Sequence, residues 1–280
     1  MPKENDKNID HQVVEHFGRE WSDYGSHTPS KQEHERIFDE YFSIFPFQKL
    51  PQDAEGFDAG CGSGRWADFV AQKCGKLHCV DASPEALDVA RQLLACHGNV
   101  EFHNAPVSDM PMADGSQDFG YSLGVLHHIP DTQSALQDCV RKLKPGAPFL
   151  LYLYYRFENR PGWFVAIWQI SDALRRVVSG LPYPLRRAVS DLFAVAIYWP
   201  VARIARFVEK FGGEVSNFPL SGYRDADFRT MRNDALDRFG TRLEQRFTRP
   251  EITRMMKSAG LKDICFRDEP PYWVALGYRS

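Results

Sequence analysis

Phe57-Asp58-Ala59-Gly60-Cys61-Gly62-Ser63-Gly64-Arg65 is the stretch whose reading decides the fold. A short apolar run ends on an acidic residue and three glycines follow at alternate positions. Trp66 to Gln72 (WADFVAQ) then continues at helical spacing. A strand, a glycine-rich turn and a helix in succession let a ligand approach bare backbone at the carboxyl edge of an open α/β sheet. The spacing is Gly-x-Gly-x-Gly, whereas a dinucleotide fingerprint is Gly-x-Gly-x-x-Gly. Arg65 stands where the third glycine of that fingerprint belongs, and its side chain would hinder close helix–strand packing. A pyrophosphate ligand is therefore not expected. A tight turn in another kind of α/β enzyme is the plainer alternative for the glycines.

Working outward, strand and helix signals alternate: KLHCVDAS, PEALDVARQLLACHG, NVEFHN, then QDFGYSLGVLHHI, a helix through Arg141 and the apolar run APFLLYLYY. Repeated βα units predict a parallel sheet with right-handed crossovers. The run from Pro148 to Tyr155 suits a strand buried on both faces. Near the C-terminus, Thr248 with Pro250 and Glu251 has capping-box spacing. DICFRD and YWVALGYR then read as two closing strands.

Upstream, residues 1–12 read as disordered. Val13 to Gly25 places Phe17, Trp21 and Tyr24 on one helical face, to pack on the core or to cap the site. Glu33 to Phe45 reads as a helix ended by Pro46 and Pro51. Between Arg156 and Phe247 the βα rhythm stops. Helical patterns are predicted over Trp163–Ser179, Leu185–Trp199 and Val201–Phe211, broken by prolines that include Pro200. An irregular Arg- and Asp-rich stretch is predicted from Pro219 to Arg246.

Composition is that of a globular protein, with 43% hydrophobic and 25% charged residues and a net charge of −3. The charge is uneven: Arg156 to Arg249 holds 16 basic and 10 acidic residues, and the remainder holds 18 and 27. A cationic segment on an anionic body suits an anionic substrate or surface, or simply solvated helix faces. The six cysteines contain no Cys-x-x-Cys pair, which reads as reduced usage without a zinc site. The first residues, MPKENDKNIDHQ, are too polar for a signal peptide. The longest uncharged apolar run, Leu192 to Ala202, falls well short of the roughly 20 residues of a membrane span. A cytoplasmic protein with no metal is expected.

With Asp58 two residues before the first glycine, the stretch resembles motif I of the class I S-adenosylmethionine (AdoMet) methyltransferases. Asp81 ends the next strand, 17 residues after Gly64, where an acid can accept from ribose hydroxyls; Ser83 before Pro84 already supplies the helix cap. Asn104 to Asp118 resembles the family's third-strand loop, but its acidic adenine contact falls here on Pro106. Backbone at Val107, or Ser108, could read the ring edge instead, or Asp109 could replace the acid. Asp118 to Pro130 (DFGYSLGVLHHIP) resembles the fourth strand and the loop beside the methyl group.

The resemblance implies a Rossmann-like, mostly parallel seven-stranded sheet with helices on both faces and an antiparallel last strand. It divides the chain into an N-terminal cap segment (1–45), an AdoMet-binding core (46–155), a helical lid or substrate insertion (156–247) and the end of the core (248–280). Cofactor contacts would come from Trp21, Asp58, Gly60, Gly62, Gly64, Asp81, Ala82, Val107, Ser108 and Leu123, with S-adenosylhomocysteine as product. His127 or His128 could serve as a base, since neutral imidazole takes a proton near neutral pH; both could instead only line the pocket. Tyr152, Tyr154, Arg156, Tyr223 and Arg224 are candidate substrate contacts, the arginines suiting carboxylate or phosphate; structural ion pairs account for them equally well.

Glu269-Pro270-Pro271-Tyr272 resembles the Asp/Asn-Pro-Pro-Tyr motif of amino-group methyltransferases, but it stands in the wrong part of the chain and reads as a turn. The basic, aromatic segment from Trp163 to Lys210 reads as a lid packed on its own sheet, in preference to a membrane-surface helix pair. The acceptor expected is a small molecule methylated on oxygen; anionic, sugar and lipid-linked acceptors stay open, and DNA is not expected. An RNA methyltransferase or a non-catalytic AdoMet-fold binding protein are the alternatives.

Overall fold

The computed structural model describes residues 8–24 and 31–280. The chain forms two compact units, Met1–Arg156 with Leu243–Ser280, and Phe157–Arg242. Residues 243–247, assigned by sequence to the insertion, belong to the first unit. Their backbone pairs there: Phe247 N donates to Tyr154 O, Arg156 N to Phe247 O and Gln245 N to His127 O.

The first unit holds strands β1 (Glu55–Ala59), β2 (Lys76–Asp81), β3 (Val100–Asn104), β4 (Phe119–Leu123), β5 (Pro148–Tyr152), β6 (Leu261–Phe266) and β7 (Val274–Arg279). Their order is β3-β2-β1-β4-β5-β7-β6. Strands β1 to β5 are parallel, and β7 runs antiparallel to both β5 and β6. The chain steps outward from β1 to β3 and returns to the other side of β1 at β4. A crevice at the carboxyl ends of β1 and β4 follows from that reversal. Glu269 to Tyr272 lies in the connection between β6 and β7.

Helices α1 (His11–Tyr24), α2 (Lys31–Phe42), α3 (Ala67–Val70), α4 (Pro84–Leu93) and α5 (Thr132–Lys142) belong to this unit. Period-2 alternation sorts the strand residues between two apolar cores. Phe57, Ala59, Phe149 and Leu151 join Leu136 and Val140 of α5; Leu77, Cys79, Phe119 and Tyr121 join Phe38 of α2, Val70 of α3 and Leu87 of α4. Two glycines let β1 and β4 lie close: a Cβ on Gly56 would sit 2.3 Å from the Phe119 ring, and one on Gly120 2.4 Å from the Phe57 ring. All six cysteines are free thiols.

Residues 8–12 are more ordered than their composition suggests. Asn8 and Asp131 exchange two hydrogen bonds, of 3.0 and 2.8 Å, and Asp10 accepts from the Gln12 and Val13 amides at the start of α1. Residues 1–7 lie outside the described residues.

The second unit contains α6 (Gly162–Val178), α7 (Tyr183–Phe193), α8 (Trp199–Lys210) and α9 (Phe228–Gly240). Pro200 does not break the helix as its residue type predicts. A π-turn over Ala194–Tyr198 joins α7 to α8 and makes room for the proline ring and its missing N–H, giving one helix of 28 residues. Helix α9 occupies the stretch expected to be irregular. Asp227 caps it, and Met231, Ala235 and Phe239 form its buried stripe at four-residue spacing, which the surrounding Arg and Asp residues obscure in the sequence. The chain is back in the first unit from Leu243, and α10 (Arg249–Ser258) there carries the expected Thr248/Glu251 capping box.

Candidate active site at the carboxyl edge of the sheet

The glycine loop is built for backbone exposure. Gly60, Gly62 and Gly64 have φ of 82°, 54° and 80°, a left-handed region that side chains disfavour. A Cβ on Gly60 would stand 2.4 Å from Val125 in the loop after β4, so the first glycine lets the ends of β1 and β4 close on each other. Asp81 braces the loop from β2: its Oδ2 accepts from the Gly62 amide at 2.8 Å and its Oδ1 from Ser83 at 2.9 Å. Burial pushes its carboxyl above the usual range, against the pull of these amides. Asn104 then ties β3 to the same place by donating to the carbonyls of Asp81 and Ala82.

Asp58 lies beneath the loop, 1% exposed. Burial pushes its carboxyl up to about 8; the Tyr121 hydroxyl lowers it, Asp81 raises it and Arg65 lowers it. The carboxyl is thus half-neutralised near pH 8, and an approaching cation would draw out its proton. Arg65, which displaces the dinucleotide pattern, turns its guanidinium over the Trp66 ring, 4.5 Å from the centroid. On the third-strand side, Val107 is buried in the turn Val107–Asp109, and the Ser108 hydroxyl is buried without a hydrogen-bond partner. Asp109 is exposed, and Leu123 is buried at the end of β4.

A chain of aromatic rings borders the other half of the edge. Phe17 of α1 meets His128 at 4.9 Å between centroids, His128 meets His127 at 4.1 Å, and His127 meets Tyr154 at 3.9 Å. Tyr154 leads to Tyr152 at 6.1 Å, Tyr152 to Tyr41 of α2 at 5.0 Å, and Tyr41 to Trp66 at 5.2 Å. The first helix therefore lies across the sheet edge, with Gly18 against Ser83. Side chains of Trp21 and Tyr24 lie outside the described residues.

The two histidines are held differently. His128 Nδ1 donates to the Leu243 carbonyl at 2.7 Å, which makes Nε2 its proton-accepting nitrogen. His127 is fully buried, and neither of its ring nitrogens has a hydrogen-bond partner. Burial, then the neighbouring His128 and Arg246, hold its pKa well below the ordinary value, so it is neutral.

The structure brings the predicted cofactor residues other than Trp21, together with Tyr152, Tyr154, His127 and His128, to one edge of one unit. Arg156 is in that unit too, but bonds Glu251 at 3.0 Å and the Arg246 carbonyl. Tyr223 and Arg224 belong to the second unit, where Tyr223 packs on Tyr198 and Arg224 pairs with Glu209 at 2.7 Å. Tyr41, Arg246 and the 243–247 segment were missed by the sequence reading. Arg246 sits over the Tyr154 ring at 5.0 Å and pairs with the buried Glu244 at 2.8 Å. Long-range contacts reveal them: Tyr41 with Tyr152, Arg246 with Tyr154 and Leu243 with His128. Among the described residues, two donor clusters that could hold a metal lie elsewhere, Asp68 with Cys96 and His97, and His78 with Glu101 and His103. In the second, the His78 nitrogens are already bonded to Glu55 and His103.

A methyltransferase-domain family model matches residues 57–151. A ubiquinone biosynthesis O-methyltransferase of Sodalis glossinidius is 32% identical over 126 residues, 44% of this chain and 49% of the relative. An ajmaline N-methyltransferase of Rauvolfia serpentina is 28% identical over 153 residues, 52% of each chain. The chain thus spans about half the length of the curated relatives it matches. A solved O-methyltransferase family protein from Burkholderia thailandensis shares the fold, with a TM-score of 0.52 at 16% identity over 88% of this chain and 56% of that one. The glycine cradle, the buried acid beneath it, the Asp81 brace and the orphaned Ser108 hydroxyl fit a nucleoside carrying an amino-acid tail. The chain carries a class I S-adenosylmethionine-dependent methyltransferase domain of Rossmann-like fold.

Proposed function

We propose that this protein transfers the methyl group of AdoMet to a small-molecule acceptor, on oxygen. The observation that carries the reading is the His128 tautomer. Its Nδ1–H is committed to Leu243 O, so in the neutral ring Nε2 is the nitrogen that can take a proton. A hydroxyl acceptor keeps its proton until attack and needs such a base; an amine that arrives neutral does not.

The bound cofactor would supply an already activated methyl electrophile. The remaining work falls to this chain's residues: Gly60, Gly62 and Gly64 offer backbone, Asp58 receives an ammonium and Asp81 a diol. The rings of Tyr41, Tyr152, Tyr154 and His127 exclude water and align a flat or apolar acceptor. The two curated relatives named above are an O- and an N-methyltransferase, so both acceptor atoms need testing.

The test incubates the protein with AdoMet and panels of phenols, hydroxy acids, sugars, amines and total RNA, and reads S-adenosylhomocysteine and product mass. Methyl gain on hydroxyl acceptors, lost in His128→Asn, supports the reading. Turnover of amines alone sinks the oxygen assignment, and turnover only of RNA sinks the small-molecule one.

A further inference from the structure

We infer that the second unit docks on an anionic membrane surface through α6 and the continuous α7–α8 helix. Their polarity is inverted relative to a water-facing helix. In α6 the buried residues include the charged pair Asp172 and Arg175, 7% and 3% exposed, whereas Ile170 and Val177 are 65% and 69% exposed. Arg175 donates to Asp172 at 2.8 Å and to the carbonyls of Thr241 and Arg242, so its charge is consumed inside the unit. Trp163, Ile167, Ile170, Leu174 and Val177 recur at spacings of four and three, one apolar stripe along the exposed side.

The second helix repeats the pattern. Every exposed residue between Arg187 and Arg206 is apolar, among them Leu192, Val195, Ile197, Trp199 and Ile204. Phe207 and Phe211 extend the surface, 63% and 73% exposed. Tyr183–Lys210 is long and apolar enough to cross a membrane, and only 28% of its most apolar stretch is buried, unlike a core helix. It does not cross one in this fold, because Ala194, Tyr198 and Ala202 pack against Met231 and Ala235 of α9. The bidentate Asp191–Arg232 pair, at 2.6 and 2.7 Å, holds the same face inward. A helix packed on one side and apolar on the other lies in an interface.

Charge selects the occupant. Residues 162–210 hold seven Arg and Lys against three acids, and each acid is paired within the unit: Asp172 with Arg175, Asp191 with Arg232, Glu209 with Arg224. Arg176, Arg187, Arg206 and Lys210 are exposed around the apolar surface, and Trp163 and Trp199 are placed as interfacial rings. An anionic headgroup layer complements this pattern. A second copy of the chain would set two net-positive faces against each other.

The test is flotation of the full-length protein with phosphatidylcholine vesicles, with and without phosphatidylglycerol, alongside sedimentation velocity without lipid. Binding to the anionic vesicles is expected, at least tenfold weaker for the triple variant Ile170→Glu, Val177→Glu, Phe207→Glu. A similar loss is expected for Arg187→Glu with Arg206→Glu. AdoMet binding and far-ultraviolet circular dichroism should be unchanged in these variants, which excludes misfolding. Absence of binding to either vesicle overturns the inference. So does a lipid-free dimer that the triple variant dissolves, since the apolar face would then belong to a second copy.

Discussion

The Gly62 amide donates to Asp81 Oδ2 at 2.8 Å, so the middle glycine of the loop and the acid ending the neighbouring strand form one device. The carboxylate that would receive a ribose also sets the shape of the loop that would receive the rest of the nucleoside. Removing it therefore has two effects. Asp81→Ala is expected to weaken AdoMet binding by at least tenfold, about 1.4 kcal/mol or more, and to lower the melting temperature of the protein without AdoMet. Calorimetric titration and thermal unfolding check the two together; unchanged affinity would remove Asp81 from the site.

Asp58 makes the site pH-dependent. Its carboxyl, pushed to about 8 from an ordinary 3.8, holds a proton in the folded chain that the unfolded chain releases. Its stability contribution is complete below about pH 4 and is lost as pH rises through about 8. Asp58→Asn should flatten that decline and stabilise the cofactor-free protein at alkaline pH. In wild type an ammonium must displace the proton, so AdoMet affinity should rise from about pH 6 towards about pH 8, above which the ligand's own ammonium loses its proton. A pH-independent affinity would show that Asp58 does not meet the cation.

Gly60 bears both a backbone and a space constraint. Gly60→Ala forces a side chain into φ of 82° and against Val125, 2.4 Å away. Destabilisation of about 1–3 kcal/mol by urea unfolding is expected, with loss of AdoMet binding. Adding Val125→Ala should restore part of the stability, because it removes the contacts at 2.4 and 2.5 Å while the Cβ contact at 2.9 Å and the backbone strain remain.

His128 and His127 separate base from packing. In His128→Asn the side-chain amide can still donate to Leu243 O but carries no base. A fall in kcat of about 10²-fold or more with little change in KM is expected. His127 is neutral because burial, then His128 and Arg246, depress its pKa. Its contribution to stability is therefore lost as pH falls below its unfolded value, about 6.5. His127→Phe should remove that acid-side loss in thermal scans; if the loss persists, another group causes it.

Local chemistry made much of this protein legible. The glycine loop, the strand-ending acids, the Ser83 cap and the Thr248/Glu251 capping box are encoded by neighbours in the chain, because turns and caps are short-range. The alternation of βα units carried the sheet for the same reason. Distant contacts decided the rest. Tyr41 reaches Tyr152 across 111 residues, and Leu243 fixes the His128 tautomer across 115. Pro200 sits within a helix because a π-turn precedes it, and the stripe of α9 hides among arginines until α7 packs on it. The sequence by itself determined the glycine loop and the acids Asp58 and Asp81 beside it, because they are backbone turns and strand ends close together in the chain. Only the tertiary structure decided the chain of aromatic rings around His127 and His128 and the outward-facing apolar helices, since which side chains meet, and which side of a helix is buried, depends on what packs against them.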